Sequence, residues 1–130
     1  MASIFTKIIN DEIPCYKIAE NTKFIAILDA FPLVHGHILV IPKKETDYIF
    51  DMDDADLSEM IVFSKYVAKA LRSAVPCKRI GIAVIGLEVP HAHIHLVPMN
   101  TANDVNFTLP KLKPSTDELA AMAEQIRSKF

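Results

Sequence analysis

The chain has 130 residues and a mass of 14.5 kDa, 51% of them hydrophobic and 23% charged, the profile of one globular domain that buries a core without disulfides or a structural metal. Disordered, collagenous and low-complexity classes are excluded. A formal net charge of −2 and a pI near 6.2 exclude a chain built to coat nucleic acid or an anionic membrane.

No repeat or linker divides the sequence, so residues 1–130 read as a single domain. The opening MASIFTKIINDE is broken by Lys7 and Asp11 and lacks the apolar stretch of a signal peptide. No run approaches the roughly 18 apolar residues of a membrane helix. Cys15 and Cys77 are far apart and form no CxxC pair, which points to reduced thiols and a cytoplasmic protein. The glycines, Gly36, Gly81 and Gly86, are too few and too scattered for a GxGxxG dinucleotide loop or a Walker A loop.

In chain order, Ile4, Phe5, Ile8 and Ile9 at helical spacing predict a short helix over residues 3–10. Residues 16–19 and 23–28 predict a hairpin turning at Glu20-Asn21. Residues 29–34 form a loop around Pro32, and residues 35–41 (HGHILVI) a strand stopped by Pro42. The acids from Asp51 to Asp56 suit a helix start. Leu57, Met60, Ile61, Ser64, Val67, Ala68 and Leu71 then mark the inner face of a helix of about five turns, which Pro76 closes. Residues 79–85, apolar on both faces, predict a central strand, and residues 91–97 another, ended by Pro98. A polar stretch without period (99–114) precedes a capping box at Ser115 and Glu118 and a short helix marked by Leu119, Met122, Ala123 and Ile126. Such long strand-to-strand runs with inserted helices predict an α+β domain with an antiparallel sheet.

All five histidines fall on two of these predicted strands, in i, i+2 patterns: His35 and His37, then His91, His93 and His95. Side chains two apart on a strand share a face, about 6.6 Å per step, so the last three line one side while Ala92, Ile94 and Leu96 fill the other. Three chemistries fit the residues alone. They occupy a solvated sheet face; or they ligate a metal, with His35 or His37 and a carboxylate from Asp29 or Glu88 completing the set; or one is a nucleophile flanked by imidazoles that bind phosphate.

His91-Ala92-His93-Ile94-His95-Leu96-Val97 resembles the His-φ-His-φ-His-φ-φ signature of the histidine triad (HIT) family. SIFTKIINDEIP (3–14) is similar to that family's opening helix, and FIAILDAFPLVHGHILVIPKK (24–44) to its hairpin. The likeness spans residues 3–98 and leaves 99–130 as a C-terminal extension with a helix. It implies a HIT-like α+β fold: a five-stranded antiparallel sheet with a short N-terminal helix, one long helix and a C-terminal helix. It further implies a hydrolase or transferase that attacks the α-phosphate of a nucleoside phosphoramidate or related nucleotide through a covalent nucleotidyl-histidine; the lack of a metal motif beyond the triad predicts chemistry without metal or cofactor. By position His93 is then the nucleophile, His95 and His37 contact phosphate oxygens, and His91 orients the others. Asp29 holds the ribose, while Phe5, Ile8 and Leu39 wall the base. The implied partners are a small molecule containing a purine mononucleotide and a second copy of the chain, two five-stranded sheets joining into one of ten; neither nucleic acid nor membrane is expected. Val62, Phe63 and Tyr66 on the long helix lie outside its core stripe and are available to that interface.

Two features depart from the family pattern. Val84 stands where many members carry a polar Asn or Gln, and the short loop Gly86-Leu87-Glu88-Val89-Pro90 has Glu88 as its only polar side chain. The leaving group therefore stays open, and a non-catalytic nucleotide sensor or partner protein is the alternative function.

Overall fold

The computed structural model describes residues 2–130. Helix α1 (Ile4–Ile9) starts where the Ser3 hydroxyl accepts the Thr6 N–H at 3.1 Å, and it turns Phe5 and Ile8 inward. Strands β1 (Lys17–Glu20) and β2 (Phe24–Leu28) form the expected hairpin. Its turn is held by the Asn21 carboxamide oxygen, which accepts the N–H groups of Lys23 and Phe24 at 2.9 and 2.7 Å. Strand β3 (Ile38–Pro42) follows, then helix α2 (Asp54–Ala74) capped by Asp53, strands β4 (Arg79–Ala83) and β5 (Ile94–Met99), and helix α3 (Thr116–Arg127) with its Ser115/Glu118 capping box. The five strands form one antiparallel sheet in the order β1-β2-β3-β5-β4. This is the α+β architecture the sequence predicts.

The sheet has two apolar faces, and their difference positions the site. Phe24, Ala26, Leu28, Ile38, Val40, Ile94 and Leu96 point to one side and pack under α2 and α3. The alternate residues Ile25, Ile27, Leu39 and Ile41 point to the other, where α1 lays Phe5 and Ile8 over them. His95 pairs across the ladder with Leu39, so its ring shares the α1 side.

Several expectations about the strands are corrected. The strand expected at residues 35–41 begins at Ile38, because Gly36 adopts φ +93° and a turn precedes it; His35 is exposed on that turn, and His37 is buried just ahead of the strand. Likewise β5 begins at Ile94, so His91 and His93 lie on the extended approach and only His95 is in the ladder. The strand also runs through Pro98, which lies past the last residue paired with β3; a residue without an N–H is tolerated on such a flank. Finally β4 is an edge strand, not a central one, and its Ile82 is 53% exposed.

On α2 the inner stripe is rotated from the expected one. Phe63 is buried and stacks on Phe24 with ring centroids 5.8 Å apart, while Ile61 faces outward with Val62 and Tyr66. Helical period locates a stripe but not its centre to better than a residue; the sheet beneath decides it.

Gly36 joins the turn to the core. A Cβ there would lie 3.1 Å from Val75 Cγ2 and 3.3 Å from Leu71 Cδ1, on a backbone that side chains rarely adopt. Gly36→Ala should cost about 1–3 kcal/mol of stability, seen in urea unfolding as a lower midpoint with an unchanged slope. An unaltered midpoint would show that the turn relaxes freely.

Candidate functional site

Four of the five histidines converge on the α1 side of the sheet. Ring centroids of His93 and His95 are 4.8 Å apart, those of His37 and His95 5.1 Å, and Phe5 packs edge-on against His93 at 4.9 Å and His91 at 5.8 Å. All four imidazoles are buried. Burial of a polar ring is tolerable only when its nitrogens are hydrogen-bonded, and those bonds dictate where each proton resides.

His93 Nδ1 lies 2.8 Å from the carbonyl oxygen of His91. A carbonyl only accepts, so Nδ1 carries the hydrogen and Nε2 keeps its lone pair. His91 Nε2 faces the Pro42 carbonyl at 2.7 Å and so carries its proton there. In the neutral ring Nδ1 then accepts from the Ser3 hydroxyl, 2.7 Å away. His37 Nδ1 accepts the Leu33 backbone N–H at 3.1 Å, which leaves the proton on Nε2. That Nε2–H donates to His95 Nδ1 at 2.9 Å, and His95 in turn holds its proton on Nε2. Two backbone carbonyls and one backbone N–H thus set four tautomers.

The Glu45 carboxylate braces this arrangement from outside. Its Oε1 accepts the Ser3 N–H at 2.6 Å and the Thr6 hydroxyl at 2.7 Å, which hold its pKa down to about 2. Glu45 thereby clamps the start of α1, whose Ser3 holds His91, whose carbonyl holds His93.

Burial pushes all three neighbouring imidazoles toward the neutral form: His37 to about 4, His95 to about 3, and His93 below its ordinary value. Burial raises the carboxyl of Asp29, against the Phe31 N–H that its Oδ1 accepts at 3.0 Å. Asp29, His37 and His95 bring potential metal-ligand atoms within 4.8 Å of one another. Yet His37 Nε2 and His95 Nδ1 are already the donor and acceptor of one hydrogen bond.

A cavity of about 420 Å3 opens beside these rings. Of the residues singled out from the sequence, His93, His95, Asp29, Phe5 and Leu39 line it. His91 and His37 stand behind them: the former supports His93, the latter His95. Ile8 is not brought to the cavity; it packs into the layer of Ile25, Ile27 and Leu39 below, and Ile4 lines the wall instead. Glu88 also lines the cavity, whereas Val84 is on the exposed surface.

Sequence reasoning missed Phe107 and Lys111. Phe107 packs edge-on against His95 at 4.7 Å, and the Lys111 ammonium sits 5.2 Å from the Phe107 ring centroid. Both come from the stretch without periodicity, where the only signal was a lone aromatic in a polar segment. Ser3 and Glu45 were missed as supports because nothing local marks a contact across 42 residues.

A family model described as the HIT domain matches residues 10–102. The adenosine 5'-monophosphoramidase of Schizosaccharomyces pombe is 32% identical over 133 residues, covering 100% of this chain and 99% of that protein. The corresponding enzyme of Saccharomyces cerevisiae is 36% identical over 131 residues, covering 99% of this chain and 83% of that one. Among solved structures, a HIT-like protein from Bartonella henselae superposes with a TM-score of 0.85 at 30% identity, covering 98% of this chain and 96% of that one.

The depressed imidazole of His37 makes stability depend on pH. An unfolded histidine takes up its proton near 6.5, the folded His37 only near 4. Between those values the unfolded chain binds more protons, so stability is full above about pH 6.5 and falls on acidification toward 4. The loss from His37 should be about 3 kcal/mol, measured by urea unfolding at pH 7.5, 5.5 and 4.5. His37→Gln, which does not titrate, should flatten that slope; a slope unchanged in the variant would exclude His37 as its source.

Proposed function

Because the chain belongs to the HIT family, we propose that it is a nucleotide hydrolase of the phosphoramidase type, acting at the α-phosphate of a purine nucleoside phosphoramidate through His93. The observation that carries this reading is the tautomer of His93: its Nδ1–H is fixed on the His91 carbonyl at 2.8 Å, in the wall of a cavity large enough for a ligand. A neutral imidazole with a free Nε2 is a competent nucleophile near neutral pH.

In the first step His93 Nε2 forms a bond to phosphorus as the phosphoramidate P–N bond breaks, and the departing amine takes up a proton from solvent water, which the proton released in the second step restores. The His95 Nε2–H offers a hydrogen bond to a phosphate oxygen as charge develops, and His37 holds His95 in that role. In the second step water adds to phosphorus, the His93–phosphorus bond breaks, the water's proton is released, and a nucleoside monophosphate leaves. Asp29 is the ribose ligand in this scheme; its Oδ1 is already engaged by Phe31, which leaves Oδ2 for hydroxyls. Phe5 and Leu39 serve as base walls, and Ile8 backs them. No step needs a metal ion.

A homodimer belongs to the same reading. The β4 edge is free, and Ile82, Val84 and Ile85 on and just after it are 53%, 41% and 45% exposed, which favours pairing with a second copy. A cytoplasmic setting fits the two free, partly buried thiols, Cys15 and Cys77. Among the described residues no helix is long and apolar enough to cross a membrane.

Glu88 in the cavity wall favours a second reading, a nucleotide sensor without turnover, since a carboxylate there opposes phosphate. One experiment separates the two. Wild-type protein mixed with an AMP amide should show a transient mass increase of one adenylyl group on His93, with the same adduct after EDTA treatment. His93→Ala should lower turnover by at least about 10³-fold while AMP still binds. The acid limb of kcat/KM should fall below pH 6.5, the direction in which His93 is shifted. AMP binding without any adduct would leave the sensor standing.

The interface has its own measurement. Light scattering should give twice the chain mass for the wild type and the single-chain mass for Ile82→Lys. A wild-type monomer would remove the dimer from this reading.

A further inference from the structure

Lys111 is the only lysine or arginine among the described residues that line the cavity. It is placed there by two contacts. The backbone N–H of Leu112 donates to the Pro32 carbonyl at 2.9 Å, which ties the segment to the loop carrying Asp29. The ammonium then rests near the face of Phe107, 5.2 Å from its centroid, while Phe107 is packed on His95. Among the described residues no carboxylate lies within ion-pair distance of it. Its field nonetheless reaches Asp29, His37 and His95, whose proton affinities it lowers.

The charge balance of the cavity gives this placement its meaning. His37 and His95 each accept a hydrogen bond through one nitrogen, which an imidazolium cannot do, so both are neutral. Asp29 and Glu88 bring carboxyl groups into the same wall. A phosphate entering this site meets neutral donors and acidic side chains, and one cation.

We propose that Lys111 is the phosphate-binding cation of this site, supplied by the segment that follows β5, and that it selects ligands by the charge on their phosphate. The assignment rests on the nucleotide reading above and adds to it a residue outside the histidine motif. As a charge-assisted contact at a partly open rim it strengthens the bound anion, and it screens with salt.

Calorimetry with AMP and with adenosine tests it. Lys111→Gln should weaken AMP about tenfold at low salt and leave adenosine unchanged, and Lys111→Arg should stay close to the wild type. Phe107→Leu, which removes the ring that steadies the ammonium, should give an intermediate loss for AMP alone. In high salt the wild type and Lys111→Gln should converge. Equal AMP affinity in Lys111→Gln, or an equal loss for AMP and adenosine, overturns the role of Lys111 only. A wild-type protein that binds neither ligand overturns the nucleotide reading beneath it.

Discussion

Every feature of this site depends on a few backbone groups that cannot exchange roles. A carbonyl accepts and an amide N–H donates, so an imidazole nitrogen placed against either has its proton assigned. The His91 carbonyl assigns His93, the Pro42 carbonyl assigns His91, and the Leu33 N–H assigns His37 and, through it, His95. Imidazole nitrogens 2.9 Å apart would repel if both rings were charged; here one donates and the other accepts. The cluster is buried and still satisfied, with no unpartnered buried side-chain nitrogen or oxygen among the described residues. Such a network is costly to half-break, since removing one member strands the next.

The fold supplies those backbone groups by pinning three distant segments together. Pro42 ends β3, the approach to β5 carries His91 and His93, and α1 brings Ser3 across both. A sheet that is apolar on both faces makes this possible. The side under α2 and α3 contributes most of the core, which leaves the α1 side with a thinner layer, Phe5, Ile8, Ile25, Ile27, Leu39 and Ile41, and room for a cavity at its edge. Glu45 shows how far this coupling extends. An exposed carboxylate just past β3 holds the N-terminal turn, and that turn holds a fully buried ring.

What the sequence made legible follows from how local the determinants are. The three helices were readable because caps and period act within a few residues: Ser3, Asp53 and Ser115 each cap as their residue type suggests. The antiparallel sheet was legible from the long strand-to-strand runs and its five strands from the resemblance, but the strand order β1-β2-β3-β5-β4 was not. The histidine motif was legible as a pattern, but its geometry was not. The motif suggested one ladder presenting three rings, whereas only His95 is in the ladder and His91 and His93 sit on an irregular approach. Gly36 was seen as a glycine, yet neither its φ of +93° nor the closeness of Val75, Leu71 and Pro98, which leaves little room for a side chain there, is written in its neighbours in sequence. The edge position of β4 was illegible because an exposed apolar edge reads as a buried strand when only composition is visible. Phe107 and Lys111 were illegible for a plainer reason: their segment has no period, and its path is decided by tertiary contacts such as Leu112 to Pro32.

A nucleophilic histidine sets two demands that oppose each other. Its lone pair must stay free, which calls for a neutral ring and therefore for burial or nearby positive charge. The phosphate it would attack calls for positive charge as well, and imidazoles kept neutral cannot provide it. A cation inside the histidine cluster would have to be desolvated, at a cost of several kcal/mol in an apolar setting. Lys111 avoids that cost by remaining at the exposed rim, with Phe107 as a spacer between its ammonium and the His95 ring. It disfavours protonation of His37 and His95, and it faces the cavity in which a phosphate would lie. An arrangement of this kind needs a segment that packs on the cluster without belonging to the sheet, and the irregular stretch between β5 and α3 is the part of the chain free to be one.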